Sequence, residues 1–252
     1  MQQNRFGYVS IPCLRVHETG YLESTCEIPE ETVTAIFVNG RHAATMVLSP
    51  ENLREYIIGY LFSEEIIKTA GDIESIRYEP NRISVLTRDP FRITGRRRTV
   101  LAGCGGSVSS IDTSKLPTLE SGYTIPYSVL FQMQKAIEPA SDQVHSAALA
   151  TTSKTVVTFH DIDCQCAVDR VLGYGLIHAI DFSETVLLLS GIVTSEMVRR
   201  CLLAGIPILL STTTATRLAI SIGTESNLTI GGNIFNDEIT VFTHPERIRC
   251  SW

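Results

Sequence analysis

The second half of the chain alternates short, wholly apolar runs with helical patterns, and that rhythm restricts the fold more than any other feature. Val186-Leu187-Leu188-Leu189 carries no polar side chain, and Ile206-Pro207-Ile208-Leu209-Leu210 carries none either. Runs of this length read as strands, and strands apolar on both sides are covered on both faces. Ala167–Ile180, Ser195–Ala204 and Ala215–Ile222 read as helices, the second closed by Gly205 and Pro207. Thr155–Phe159, Leu228–Ile230 and Ile239–Thr243 read as further strands, and Ser128–Ile137 as a further helix. The pattern predicts an α/β sheet with helices on both faces and parallel pairing in its centre.

The first half is organised differently. Val33–Val38, Asn39-Gly40 and His42–Leu48 read as strand, type I′ turn and return strand, because Asn and Gly both tolerate positive φ. Ser49-Pro50-Glu51 predicts a helix start with Ser49 as N-cap, and Leu53, Ile57, Tyr60 and Leu61 give that helix an apolar face. Ile73–Tyr78 and Ile83–Thr87 alternate as strands do. Met1–Glu31 has no clear pattern, and the Ser/Thr/Pro-rich stretch Ser109–Thr124 reads as a linker or loop. The 252 residues therefore divide into an N-terminal α/β domain with hairpin and helix, 1–115, and a second α/β domain, 116–252.

Charge removes several classes of function. The net charge is −6, against the basic face that nucleic-acid binding requires. No apolar run reaches membrane-spanning length, and MQQNRFGYVS has no signal-peptide core, so the expected location is the cytoplasm. The seven cysteines follow no disulfide framework and are expected to be thiols.

Several groups of residues could carry chemistry. Gly103-Cys104-Gly105-Gly106 places a thiol among glycines, where it is sterically open and backbone N–H groups can face a thiolate; the other reading is a buried cysteine in a glycine turn. The Arg96–Arg98 run lies close in sequence and could lower the pKa of that thiol; it could equally be a solvated strand end. Ser190-Gly191 and Ser211–Thr214 follow the two apolar strands and lead into helix N-termini, which suits an anionic ligand; they could equally be ordinary capped loops. His145 opens the run Ser146–Ala150 and reads either as an acid–base or cofactor-contacting group or as a polar residue at a strand start. His160, Cys164 and Cys166 are metal-ligand types, but their spacing is not a zinc spacing and no second pair completes it, so no structural metal is expected.

An ordered set of stretches between Thr32 and Thr243 resembles the formate dehydrogenase accessory sulfurtransferase family, FdhD. The set comprises Ile36-Phe37-Val38-Asn39-Gly40-Arg41, Leu48-Ser49-Pro50-Glu51-Asn52-Leu53 and Gly59-Tyr60-Leu61-Phe62-Ser63-Glu64. It continues with His145-Ser146-Ala147-Ala148, Ala167-Val168-Asp169-Arg170-Val171-Leu172-Gly173, Ser190-Gly191, Ala204-Gly205-Ile206-Pro207-Ile208-Leu209 and Val241-Phe242-Thr243.

The resemblance implies an N-terminal α/β part followed by a cytidine-deaminase-like three-layer α/β/α domain, in a homodimer. It implies a sulfurtransferase that takes persulfide sulfur from a cysteine desulfurase and delivers it to the molybdenum bis(molybdopterin guanine dinucleotide) cofactor of formate dehydrogenase. Cys104 matches the persulfide cysteine. Asn233, Ile234, Phe235, Asn236, Asp237 and Glu238 match the loop that contacts the guanine dinucleotide, with Ser190, Gly191 and His145 as further cofactor contacts.

The chain departs from the family pattern at several places. Ser107 stands where many members carry a second cysteine, Ile192 where they carry an arginine, and Asn236 and Glu238 where they carry glycine and arginine. The His-x-Glu and Pro-Cys-x-x-Cys signature of zinc deaminases is missing. A second reading is a non-catalytic molybdenum-cofactor-binding chaperone of formate dehydrogenase, which keeps the fold without the transfer.

Overall fold

The structure is a computed structural model that describes residues 7–89, 116–135, 137, 144–235 and 238–250. It opens with a ribbon that no sequence pattern announces. Strands β1 (Tyr8–His17) and β2 (Gly20–Pro29) pair antiparallel from Tyr8 opposite Pro29 to His17 opposite Gly20. The apolar alternation is incomplete: Val9, Ile11 and Cys13 lie on one face, Leu14 and Val16 on the other, and Pro12 interrupts the run.

Next, β3 (Thr32–Val38) and β4 (Arg41–Leu48) form the expected hairpin, with Asn39 and Gly40 at φ 50° and 76°. Helix α1 (Leu53–Ser63) follows, then β5 (Ile73–Glu79) and β6 (Arg82–Thr87). The four strands form one sheet in the order β4-β3-β6-β5, with β3 and β6 parallel. Ile36, Val38, Ala44, Leu48, Ile83 and Val85 bury their side chains against Tyr56, Ile57, Ile58 and Leu61 of α1. The helix does not begin at Ser49. Its N-cap is Asn52, at φ 50° and ψ 40°, because the Ser49 backbone is taken up by Asp161 and Arg170.

The remaining elements are β7 (Ile125–Pro126), α2 (Tyr127–Gln134), β8 (His145–Ala150), β9 (Thr155–Asp161), α3 (Cys164–Ile177) and β10 (Val186–Leu189). They continue with α4 (Ser195–Ala204), β11 (Ile208–Ser211), α5 (Arg217–Glu225), β12 (Thr229–Phe235), β13 (Glu238–Thr243) and β14 (Ile248–Arg249). Six of the strands make one sheet in the order β13-β12-β11-β10-β8-β9. The centre, β10-β11-β12, is parallel as expected, while β8 and β13 run antiparallel to their neighbours. Alternate strand residues point to opposite faces. Leu187, Leu189, Leu209 and Ile230 pack on α3, α4 and α5, and Val186, Leu188, Ile208 and Leu210 pack on α2 through Leu130 and Met133. This is the expected three-layer α/β/α arrangement.

Helix α3 also packs against α1, and glycine sets how closely. A Cβ on Gly59 would lie 1.7 Å from the Asp169 carbonyl oxygen, and one on Gly173 would lie 1.8 Å from that of Glu55. The helices cross with backbone against backbone. Gly173→Ala is expected to force them apart at a cost of roughly 1–3 kcal/mol or more. Thermal denaturation should then show Tm at least about 2 °C lower; an unchanged Tm would mean that the crossing relaxes freely.

Candidate functional site

The carboxyl edge of the six-stranded sheet gathers most of the residues singled out from sequence. Four strands, β9 to β12, deliver their C-terminal ends there, and antiparallel β8 delivers its start. Open α/β sheets hold ligands at this edge.

Hydrogen bonds tie the strand ends together. The Ser146 N–H donates to Ser190 Oγ at 2.8 Å, and the Ser190 N–H donates to the Ser146 carbonyl at 3.0 Å. Ser211 Oγ donates to the Gly191 carbonyl at 2.6 Å and accepts from the Thr213 N–H at 3.0 Å. The Asn233 N–H then donates to the Thr213 carbonyl at 2.6 Å. Close approach is again set by glycine: a Cβ on Gly232 would stand 2.4 Å from that same Thr213 oxygen. Ser190, Gly191 and Asn233 therefore belong to one connected rim.

His145 joins them. A Cβ built on Gly191 would lie 3.4 Å from His145 Nδ1 and 3.0 Å from Cys164 Sγ, so these three residues meet at one point. Cys164 is placed there by the start of α3, where the Asp163 carboxylate caps the helix by accepting from the Gln165 and Cys166 N–H groups. Burial, reinforced by the nearby Asp163 carboxylate, pushes the Cys164 thiol up to about 12. The thiol is therefore protonated at neutral pH, and a protonated thiol is a poor nucleophile.

Asn233 is exposed, with a left-handed backbone at φ 53°, whereas Ile234 is buried at the base of the rim. Phe235 pairs with the exposed Glu238 across the β12–β13 turn. Asn236 and Asp237 lie outside the described residues, and so does Cys104 with its flanking glycines and the arginine run. Among the described residues, the donors that link the strand ends are hydroxyl and backbone groups, and Ile192, half exposed, adds no charge.

His160, Cys164 and Cys166 diverge. His160 Nδ1 shares a 2.8 Å hydrogen bond with Ser146 Oγ, and Cys166 is buried in the core beneath α1. Burial lowers the His160 pKa, so the ring is neutral at pH 7. Among the described residues there is no cluster of three or more His, Cys, Asp or Glu side chains that could hold a metal.

One part of the site has no counterpart in the sequence reading. Arg170, fully buried on α3, pairs with the buried Asp161 at the end of β9 and donates to the Ser49 carbonyl at 2.8 Å and the Glu51 carbonyl at 3.2 Å. Asp161 accepts from the Asp163 N–H at 3.0 Å and the Ser49 N–H at 3.3 Å. This pair fixes the turn that brings Cys164 to the rim. Beside it, Asp169 accepts from Ser63 Oγ at 2.6 Å and from Arg200 Nε at 2.9 Å. The available signal was two adjacent charged residues, Asp169 and Arg170, inside an otherwise apolar helix: charges in such a place need partners.

Comparison with known proteins gives the class. Sulfur carrier protein FdhD of Bacillus pumilus is 27% identical over 92% of this chain and 95% of its own length. The protein of that name from Halalkalibacterium halodurans is 30% identical over 88% of each. The crystal structure of a formate dehydrogenase accessory protein from Desulfotalea psychrophila superposes with a TM-score of 0.77 at 25% identity, covering 96% of this chain and 99% of the other. The model of the FdhD/NarQ family matches residues 29–249. The chain belongs to the FdhD/NarQ family.

Proposed function

We propose that this protein is a sulfurtransferase that receives persulfide sulfur from a cysteine desulfurase on Cys104. It then delivers that sulfur to the molybdenum bis(molybdopterin guanine dinucleotide) cofactor destined for formate dehydrogenase. The observation that carries the reading is a match over about nine-tenths of the chain to proteins named as sulfur carriers.

In the first transfer, the Cys104 thiolate attacks the outer sulfur of the donor persulfide. The donor S–S bond breaks, its cysteine leaves as a thiolate, and Cys104 holds the new persulfide. Three of the other thiols are poor alternatives. Burial pushes Cys164, Cys166 and Cys201 well above the ordinary thiol range, leaving each protonated, and Cys166 and Cys201 are also enclosed. Incubation with a desulfurase and cysteine is expected to add the mass of one sulfur to the protein. Absence of that gain would favour the cofactor-binding chaperone instead.

The molybdenum cofactor reaches the protein as cargo, and the rim of the six-stranded sheet is its proposed seat. Ser190, Gly191, His145 and the Asn233–Glu238 loop would hold its guanine dinucleotide. The strand order, with one antiparallel strand set between parallel ones, supports assigning this half to the cytidine-deaminase-like kind.

Neutral donors imply modest affinity, since each charge-assisted bond to phosphate that is missing forgoes about 1.5–3 kcal/mol. Calorimetry with GDP is expected to show weak binding, near the millimolar range. No heat and no thermal shift at millimolar GDP would remove the rim as a nucleotide seat. We further propose a homodimer acting in the cytoplasm; no described helix is long and apolar enough to cross a membrane.

A further inference from the structure

We propose that the β1–β2 ribbon is the arm through which two copies of this chain associate, each laying the same face of its ribbon on the other about a twofold axis. The inference rests on the homodimer proposed above and adds the surface that makes it.

The strand register divides the ribbon into two unlike faces. Val9 stands opposite Ile28, Ile11 opposite Cys26, Cys13 opposite Ser24, and Leu22 opposite Arg15. All eight side chains share one face, because directly opposed residues point the same way. That face is a continuous stripe of Val9, Ile28, Ile11, Cys26, Cys13 and Leu22 and holds no acid. Its four aliphatic side chains are 41–57% exposed. A two-stranded ribbon is marginally stable in water unless its apolar face is covered. None of its residues belongs to the three buried cores of the molecule.

Charge selects both the occupant and its orientation. Arg15 lies near the tip of this face with His17, and Glu18 follows in the turn, while the exposed Glu30 and Glu31 lie at the base of the ribbon, where they are the larger concentration of charge. If two ribbons stack antiparallel, each Arg15 reaches the glutamates of the other copy, and the contact is satisfied twice by one symmetric operation. Parallel stacking would set Arg15 against Arg15 and glutamates against glutamates. The opposite face carries Glu23 and Glu27 among Leu14, Val16 and Tyr21, so packing that face on itself would crowd four carboxylates. One face is therefore self-complementary and the other is not.

The test is the mass of the full chain in solution, by light scattering or sedimentation. The wild-type protein is expected at twice 27.8 kDa. Ile11→Asp/Ile28→Asp is expected at the single-chain mass with an unchanged thermal transition, because the cores do not include the arm. Leu14→Asp/Tyr21→Asp, on the other face, should remain dimeric. Arg15→Glu should loosen the dimer at least tenfold, and adding Glu30→Arg/Glu31→Arg to it should restore the wild-type constant. If the Ile11→Asp/Ile28→Asp chain unfolds, this charge exchange decides the matter alone.

A protein that stays dimeric in every one of these variants overturns the arm and leaves the homodimer standing. A wild-type protein monomeric at micromolar concentration removes both, while the sulfur-transfer reading, tested by mass gain, is untouched.

Discussion

Cys104→Ser is expected to lose all desulfurase-derived sulfur. The wild-type protein should gain the mass of one sulfur, and the variant should gain none. Serine replaces a thiolate of high nucleophilicity with an alcohol that stays protonated at neutral pH, so the transfer loses its acceptor rather than slowing by a small factor. Ser107, standing where many relatives of the family carry a second cysteine, offers no thiol to resolve the persulfide; the adduct should therefore persist long enough for intact-mass detection. Cys164→Ser and Cys166→Ser serve as controls. Both positions hold thiols that burial keeps protonated, so both variants should keep the gain. If Cys104→Ser still carries the extra sulfur, or still restores formate dehydrogenase in cells lacking their own accessory protein, the carrier lies elsewhere in the chain.

The largest stability effect is expected at Asp161. Asp161→Ala leaves the guanidinium of Arg170 fully buried without its carboxylate, and it strips the Ser49 and Asp163 N–H groups of their acceptor. Breaking one side of a buried pair typically costs about 3–5 kcal/mol. Replacing both partners with leucine should recover much of that loss, because the uncompensated charge disappears. Urea denaturation of the three proteins reads the difference directly. A loss below about 1 kcal/mol for Asp161→Ala would mean that water reaches Arg170, contrary to its complete burial.

The pair also shows where sequence reading stops. Elements held by local rules were legible: the Asn39-Gly40 turn, the Gly205 cap at φ 79°, and the apolar strands β10 and β11. Each depends on residues adjacent in the chain. Ser49, read as a helix cap, obeys the same local logic, but a partner more than a hundred residues away outcompetes it: the Asp161–Arg170 pair takes its backbone and moves the cap to Asn52. The β1–β2 ribbon was illegible for the opposite reason: neither face is buried, and apolar residues stand on both, Val9, Ile11 and Ile28 on one and Leu14, Val16 and Tyr21 on the other.

The candidate site divides in the same way. Ser190, Gly191 and His145 were readable because strand ends can be located from sequence, and the fold brings them to one rim. That Cys164 arrives at the same point was not readable, because it depends on how the turn after β9 is anchored. Cys104, Asn236 and Asp237 lie outside the described residues.

Helix α3 has a consequence for how the molecule comes apart. Val168, Val171 and Leu172 fill the core beneath the six-stranded sheet, while Cys166, Leu176 and Ile177 belong to the core beneath the four-stranded one. Gly173 leaves no room between α3 and α1, and Asp169 is shared between Ser63 on one side and Arg200 on the other. Neither half can let go of this helix without opening the other. A fragment containing only residues 116–252 would present the back of α3 to water, with Asp169 stripped of the Ser63 hydroxyl and Arg170 of the Ser49 and Glu51 carbonyls. The two sheets are accordingly expected to melt as one, because a single helix serves both.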